Sequence, residues 1–184
     1  MAGELERLRA ELAEARRLAR LDPLTRAWNR RAVVELLHGE LERARRERSR
    51  VAVLFIDLDR VKRINDRHGH AAGDAVLCEA AGRMRAVVRP YDAVCRYGGD
   101  EFVVIVAGTG AERGAARAAA AIAAGLRDRP VATPAGEVQV TASIGVAVAP
   151  VGAHDPERLI ADADRAMYAA KRDGGNTVRD DAPS

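Results

Sequence analysis

A chain of 184 residues and 19.7 kDa is long enough for one domain with a short appendage and a sizeable core. Its 30 Lys and Arg stand against 27 Asp and Glu, and aromatics are only 3%, so the surface is nearly balanced and poor in rings to stack bases; no nucleic-acid partner is expected. No run of about 18 apolar residues and no apolar export stretch is present, so a cytoplasmic chain without a membrane span is expected, and the isolated Cys78 and Cys95 read as small buried thiols without metal or disulfide chemistry.

Leu5, Leu8, Leu12, Ala15 and Ala19 recur at three- and four-residue spacing and predict a helical stalk over residues 1–21, with a short seam suited to a second copy. Asp22-Pro23 ends it, and the Asp22 side chain is placed to cap the next turn of chain. A helix is predicted from about Asn29 to Glu47. The apolar run Val51–Ile56 predicts a central strand covered on both faces, stopping at Asp57-Leu58-Asp59. After a polar connection come a helix from about Gly73 to Val88 and a strand over 93–97. A Gly98-Gly99 turn and a strand over 101–106 complete a hairpin. An alanine-rich helix over 111–127 is next, then a strand pair near 131–132 and 138–148, and a last helix over 156–172 stopped by Gly174-Gly175. This order predicts an α+β fold, a largely antiparallel central sheet flanked by helices.

Three places carry more acid and glycine than the fold requires. Asp57 and Asp59 are two apart at a strand end, so they either share a face or simply mark the strand's emergence into water. In Gly98-Gly99-Asp100-Glu101 the glycines suit positive φ and the close approach of a phosphate, although an acidic turn alone also fits. Together, a carboxylate from the strand end and one from the hairpin can hold Mg²⁺ against a nucleotide triphosphate. The P-loop pattern is absent. Asn65 and Asp74 offer groups complementary to the N1–H and amino edge of guanine; their alternative roles are a turn and a helix cap. His68 and His70 have no third ligand at metal spacing and read as structural.

These residues resemble the GGDEF-domain diguanylate cyclase family over residues 21–176. The resemblance rests on Asp22-Pro23-Leu24-Thr25 with Asn29-Arg30-Arg31, on Asp57 through Asp66, and on Gly69-His70 with Gly73-Asp74. It continues through Arg96-Tyr97 before Gly98-Gly99-Asp100-Glu101-Phe102, Ser143-Ile144-Gly145, and Ala161-Asp162 through Ala166-Met167-Tyr168, Ala169 and Lys171. It implies a fold similar to the polymerase palm and the class III nucleotide cyclases. It implies a catalytic domain over residues 22–178 with a tail at 179–184, and condensation of two GTP into cyclic di-GMP across a homodimer of domains. By position, Asp57, the Leu58 carbonyl and Asp100 would bind Mg²⁺, with Mn²⁺ as the alternative ion. Glu101 would assist the metal or the 3′-hydroxyl. Asn65 and Asp74 would read guanine, Lys62 and Lys171 would contact phosphates, and Gly98 and Gly99 would line the substrate. Arg89-Pro90-Tyr91-Asp92 matches the family's inhibitory Arg-x-x-Asp, which implies a product site at Arg89 and Asp92.

Two positions depart from the pattern. Val61 stands where the family usually has Phe. Gly175 stands where it has a phosphate-contacting Arg, in Lys171-Arg172-Asp173-Gly174-Gly175-Asn176, with Arg172 as the substitute that sequence suggests. A weakened grip on GTP is expected, and a non-enzymatic module that binds GTP or cyclic di-GMP as a receptor is the alternative function. A template-copying polymerase does not fit, because the chain has no room for template-binding domains.

Overall fold

The computed structural model describes residues 2–153 and 155–181, with side chains described for residues 4–11 and from residue 18 onward. Seam positions Leu12 and Ala15 and tail residues 182–184 lie outside that description. The elements are α1 (Ala2–Leu18), α2 (Arg30–Glu47), β1 (Arg50–Leu58), α3 (Val61–His68), α4 (His70–Val87), β2 (Ala93–Arg96), β3 (Glu101–Gly108), α5 (Ala111–Arg127), β4 (Val131–Thr133), β5 (Gly136–Val138), β6 (Ala142–Val148), α6 (Pro156–Arg172) and β7 (Val178–Asp180).

Strand β1 is the middle of a five-stranded sheet in the order β2-β3-β1-β6-β7, antiparallel throughout except for the parallel β6–β7 pair at one edge. The continuous apolar character of β1 follows from this position, because both of its faces are covered. Ala52, Leu54, Ile56 and Leu58 pack towards α3, α4 and α5. Val51, Val53 and Phe55 pack towards α2 and α6. Fully burying each large aliphatic side chain here contributes about 1.5–3 kcal/mol. The same alternation puts Asp57 on the α2/α6 face, and α6 brings Lys171 to it.

Helix α6 begins at Asp155, whose side chain accepts from the Arg158 N–H at 3.0 Å, with Pro156 in the first turn. It lies directly on β6 at Gly145, where any Cβ would run into the helix backbone at Ala163 and Met167. A side chain at Gly145 would therefore lever the end of α6, and Lys171 with it, off the sheet. Helix α1 stands apart from this core, with Leu5, Leu8 and Leu18 exposed. Its end is fastened to α2, because Asn29 caps α2 through Ala32 N–H and gives its amide to the Ala19 carbonyl.

The polar connection after β1 proves to contain α3. Only Val61 and Ile64 of its eight residues are buried, too few apolar positions for a period to show in sequence. Helix α4 starts three residues before its expected beginning at Gly73. The strand expected over 138–148 is broken at 139–141. Between the two strands the Gln139 side-chain amide donates to the Leu126 carbonyl at 3.3 Å and the Thr141 hydroxyl to Asp59 at 2.6 Å, while the Thr141 carbonyl still accepts from the Asp59 N–H at 2.8 Å. Strand β5 pairs with β4 in a separate ribbon, and β6 alone joins the main sheet. Arg179 and Asp180, expected in a tail, are part of edge strand β7.

Candidate active site

The register of the sheet brings the acids together. Asp57 faces Glu101 across the β1–β3 pair and Ser143 across the β1–β6 pair. The Leu58 N–H donates to the Asp100 carbonyl at 3.1 Å, which pins the hairpin turn to the end of β1. Leu58 has a fully buried side chain, so its backbone is what it offers to the cleft. Asp57 is 6% exposed, and its Oδ2 lies 2.6 Å from Lys171 Nζ. Burial raises its pKa, Lys171 opposes that rise, and the neighbouring charges of Asp100 and Glu101 add to it.

Gly98 and Gly99 do not serve the turn as expected, since neither lies in the left-handed region. The reason for Gly98 is contact: the Glu101 carboxylate folds over it, and a Cβ there would collide with that side chain. Gly99 is exposed, with open space where a Cβ would stand. The turn is closed by the Tyr97 N–H to the Glu101 carbonyl at 2.8 Å and braced by Arg96, whose Nη2 donates to the Gly99 carbonyl at 2.8 Å. Arg96 Nη1 also pairs with Asp22 at 3.2 Å. Asp22 in turn accepts from the N–H and the hydroxyl of Thr25, both at 2.8 Å. Burial works against the ionised form of Asp22, but the Thr25 and Arg96 contacts outweigh it and its pKa is lowered. The Asp22-Pro23-Leu24-Thr25 segment is thus a strut for the hairpin 74 residues away.

Asp57 and Asp59 border one cleft of about 920 Å³, together with Lys62, Asp100, Lys171 and Gly175. Their tasks differ. Asp59 accepts from Thr141 Oγ1 at 2.6 Å, Ser143 Oγ at 2.8 Å and the Asn176 N–H at 3.0 Å, so its oxygens are committed to joining β1, β6 and the loop after α6. Sequence reasoning did not assign this role; the hydroxyls of Thr141 and Ser143, 82 and 84 residues away, are the partners that reveal it. Asp57 keeps a single cationic neighbour on a flexible stem. Among the described residues no three His, Cys, Asp or Glu side chains gather as a ready-made metal cage. Two carboxylates and a carbonyl nevertheless match a hard ion such as Mg²⁺, which fills its remaining positions from water and phosphate. The Lys171 ammonium supplies the positive charge beside Asp57 here.

The family model described as "Diguanylate cyclase, GGDEF domain" matches residues 19–177. The chain belongs to the GGDEF-domain diguanylate cyclase family. It is 42% identical over 173 residues to diguanylate cyclase TpbB of Pseudomonas aeruginosa, covering 94% of this chain and 40% of that protein. It is 40% identical over 173 residues to response regulator PleD of Caulobacter vibrioides, covering 93% of this chain and 38% of that protein. The chain thus spans less than half the length of these curated relatives. Among solved structures it is similar to the isolated GGDEF domain of TpbB from P. aeruginosa, with TM-score 0.83, 42% identity, and 88% and 94% of the two chains covered. It is also similar to the coiled coil and GGDEF domain of DgcB from Caulobacter crescentus in complex with c-di-GMP, with TM-score 0.87, 30% identity, and 97% and 94% covered. The mixed sheet flanked by helices is the fold of this GGDEF family.

The remaining candidate positions are spread over three surfaces of the GGDEF domain. Asn65 lies on α3 with its side-chain carbonyl against Gly73 of α4, in space that a Cβ at 73 would fill, and its Oδ1 has no hydrogen-bond partner. Asp74 is next in the chain, exposed within α4 and not at its cap. The pair sits together where α3 meets α4 and does not line the 920 Å³ cleft. Arg89 and Asp92 lie at a separate pocket beyond the end of α4. Arg172, the suggested substitute at the triphosphate, is exposed and is not part of the cleft wall, whereas Arg60, Arg63 and Arg67 are. Val61 is buried at the cleft floor, and His68 borders the cleft. Burial pushes the Cys95 thiol up, keeping it protonated and inert. No described helix is long and apolar enough to cross a membrane.

Proposed function

We propose that this chain condenses two GTP into cyclic di-GMP with release of two pyrophosphates, each of two facing domains presenting one GTP. The observation that carries this reading is the buried Asp57, brought against the Asp100–Glu101 hairpin and paired with the half-exposed Lys171. That is a costly arrangement for a fold and a suitable one for a cation and a triphosphate. When bound by Asp57, Asp100 and the Leu58 carbonyl, Mg²⁺ or Mn²⁺ supplies charge neutralisation and eases ionisation of an attacking hydroxyl.

The chain's own groups divide the rest of the task. Lys171 exchanges the Asp57 carboxylate for a phosphate oxygen, and Lys62 holds a second one. The unpartnered Asn65 Oδ1 accepts a guanine N–H and Asp74 accepts from the same edge. Gly99, with nothing over it, lets the nucleotide approach the turn. Glu101 takes the 3′-hydroxyl proton or supports the metal from beside Gly98. Each 3′-oxygen attacks the α-phosphorus held by the other domain, and each pyrophosphate leaves opposite that attack. Residues 1–21 pair two copies through the seam of Leu5, Leu8, Leu12, Ala15 and Ala19, of which Leu5 and Leu8 are exposed, and the product binds back at Arg89 and Asp92 to restrain the dimer.

The test is incubation of the full chain with GTP and Mg²⁺ and chromatography for cyclic di-GMP. Product is expected at a rate that rises faster than linearly with protein concentration until dimerisation is complete. D100A should lower the rate by about 10³-fold or more with an unchanged melting curve. No product at high protein concentration would overturn the reading and leave the receptor alternative, which nucleotide binding without turnover would then support.

A further inference from the structure

A second pocket, of about 280 Å³, opens between the segment after α1 and the end of α4, and Arg26, Trp28, Arg85, Arg89 and Asp92 are in its wall. Three arginines and one aspartate border it. Like charges gathered in so small a space repel one another unless an anion joins them. Asp92 offsets one of those charges and leaves a surplus of two, and its Oδ2 accepts from the Arg89 backbone N–H at 2.9 Å. Its Oδ1 is buried and has no hydrogen-bond partner, an acceptor waiting for a donor.

The arginines are unequally engaged. Arg89 Nη1 donates to the Tyr91 hydroxyl at 2.9 Å, and its guanidinium carbon lies 5.8 Å from the centre of that exposed ring. Arg85 spends one donor on the Thr25 carbonyl at 3.2 Å and keeps the others. Arg26 is exposed, and its backbone sits at φ 58°, in the left-handed region where a side chain is disfavoured and glycine is not. The segment therefore holds an arginine in a conformation that suits glycine, at the mouth of a pocket with surplus positive charge.

We propose that Arg26 and Arg85 carry the phosphates of cyclic di-GMP at this pocket, while Arg89 and the free Asp92 oxygen take its guanine edge. The assignment rests on the reading of Arg89 and Asp92 as the product site and extends it to two residues outside that motif. Two phosphates balance the surplus of three guanidiniums over one carboxylate, and a guanine N–H supplies the donor that Asp92 Oδ1 lacks. An adenine edge has no N1–H to give. GTP shares the guanine and the phosphates, so the experiment must separate the two nucleotides.

Calorimetric titration of the full chain with cyclic di-GMP, with EDTA present to keep nucleotide off the metal-dependent cleft, provides the test. R26G and R85Q are each expected to weaken binding about tenfold, the loss of one charge-assisted contact. The R26G protein should melt at the wild-type temperature or above it, since glycine relieves the left-handed strain, so the loss cannot be ascribed to unfolding. GTP and cyclic di-AMP should bind more weakly than cyclic di-GMP. Unchanged affinity in both R26G and R85Q would overturn the proposal. In that case a weakened R89A protein keeps the Arg89–Asp92 product site, whereas an unaffected R89A protein removes both readings. Binding of GTP as tight as that of cyclic di-GMP, and equally sensitive to R26G, would overturn the assignment of the ligand.

Discussion

The hairpin turn at 97–101 and the loop at 173–176 both frame the cleft, yet they hold their shapes by different means. The hairpin uses ordinary backbone and borrows its rigidity from Arg96, Asp22 and Thr25. The loop after α6 is built from backbone in the left-handed region at Gly174 (φ 109°), Gly175 (φ 75°) and Asn176 (φ 49°). Its first half closes α6: the Gly174 N–H bonds the Lys171 carbonyl at 3.1 Å and the Gly175 N–H the Ala170 carbonyl at 3.2 Å, the paired bonds of a Schellman cap. Its second half is tied to β1 by Asp59 alone. Long-range side chains can hold an exposed, chemically simple turn still. A left-handed loop is stiff in itself, but it admits few side chains at its own positions.

Breaking the tie of the second loop should have the largest effect. Asp59 gathers three donors, and Ser143 among them is fully buried. D59A leaves two hydroxyls and a backbone N–H without their acceptor and should cost about 3 kcal/mol, read as a lower urea midpoint at unchanged slope. An effect below about 1 kcal/mol would mean that water replaces the carboxylate and that the loop does not depend on it.

The strut of the hairpin comes next. R96A removes the donor to the Gly99 carbonyl and the partner of Asp22, and both side chains are mostly buried, so a loss of about 2 kcal/mol is expected. The same strut predicts a pH dependence. The Asp22 pKa is depressed in the folded protein, so its contribution is present at neutral pH and is lost as pH falls through that folded value. Wild-type stability should therefore fall more steeply below about pH 4 than that of R96A. Parallel curves would show that Thr25 alone accounts for the ionisation of Asp22.

Much of this was legible in the sequence. The central strand announces itself in Val51–Ile56, and helices α5 and α6 match their predicted bounds. Sequence makes the meeting of Asp57 with the hairpin acids conditional on the two strands being neighbours, and the β1–β3 register places Asp57 opposite Glu101. The features that stayed hidden depend on contacts between residues far apart. No local pattern reveals that Asp59 belongs to Thr141 and Ser143, that Arg96 reaches Asp22, or that Gly98 makes room for Glu101. Helix α3 escaped because it buries two residues only, and the break before β6 because Gln139, Val140 and Thr141 include no glycine or proline to mark it.

Asp57 stands between the two regions, facing Glu101 of the hairpin strand and bonded to Lys171 at the end of α6. Burial and the adjacent acids raise its pKa, so its ionised form is a burden on the fold above the folded value, and stability from this group grows as pH falls towards the unfolded value. D57N removes the burden. It should stabilise the protein by about 1 kcal/mol at pH 7 while abolishing turnover, the opposite pairing to that expected of a structural acid. A destabilised D57N would instead mean that the Lys171 bond outweighs the cost of burying the carboxylate.

The smallest effect is expected at Gly175, where the two kinds of loop trade off most directly. An arginine there restores a cation that the resemblance assigns to the triphosphate, but its Cβ would stand 3.2 Å from Asp59 Oδ1 on a backbone at φ 75°. The left-handed conformation costs a side chain about 1–2 kcal/mol, partly offset by the lower entropy of the unfolded chain and by attraction to Asp59. G175R should thus lower stability by about 1 kcal/mol while tightening the apparent KM for GTP several-fold at little change in kcat. A stability loss with an unaltered KM would show that Arg60, Arg63 and Arg67 around the cleft already supply the charge the triphosphate needs. A tighter KM without a stability loss would show that the loop turns out of the left-handed region when the side chain is present, and that glycine is a matter of substrate affinity there, not of backbone necessity.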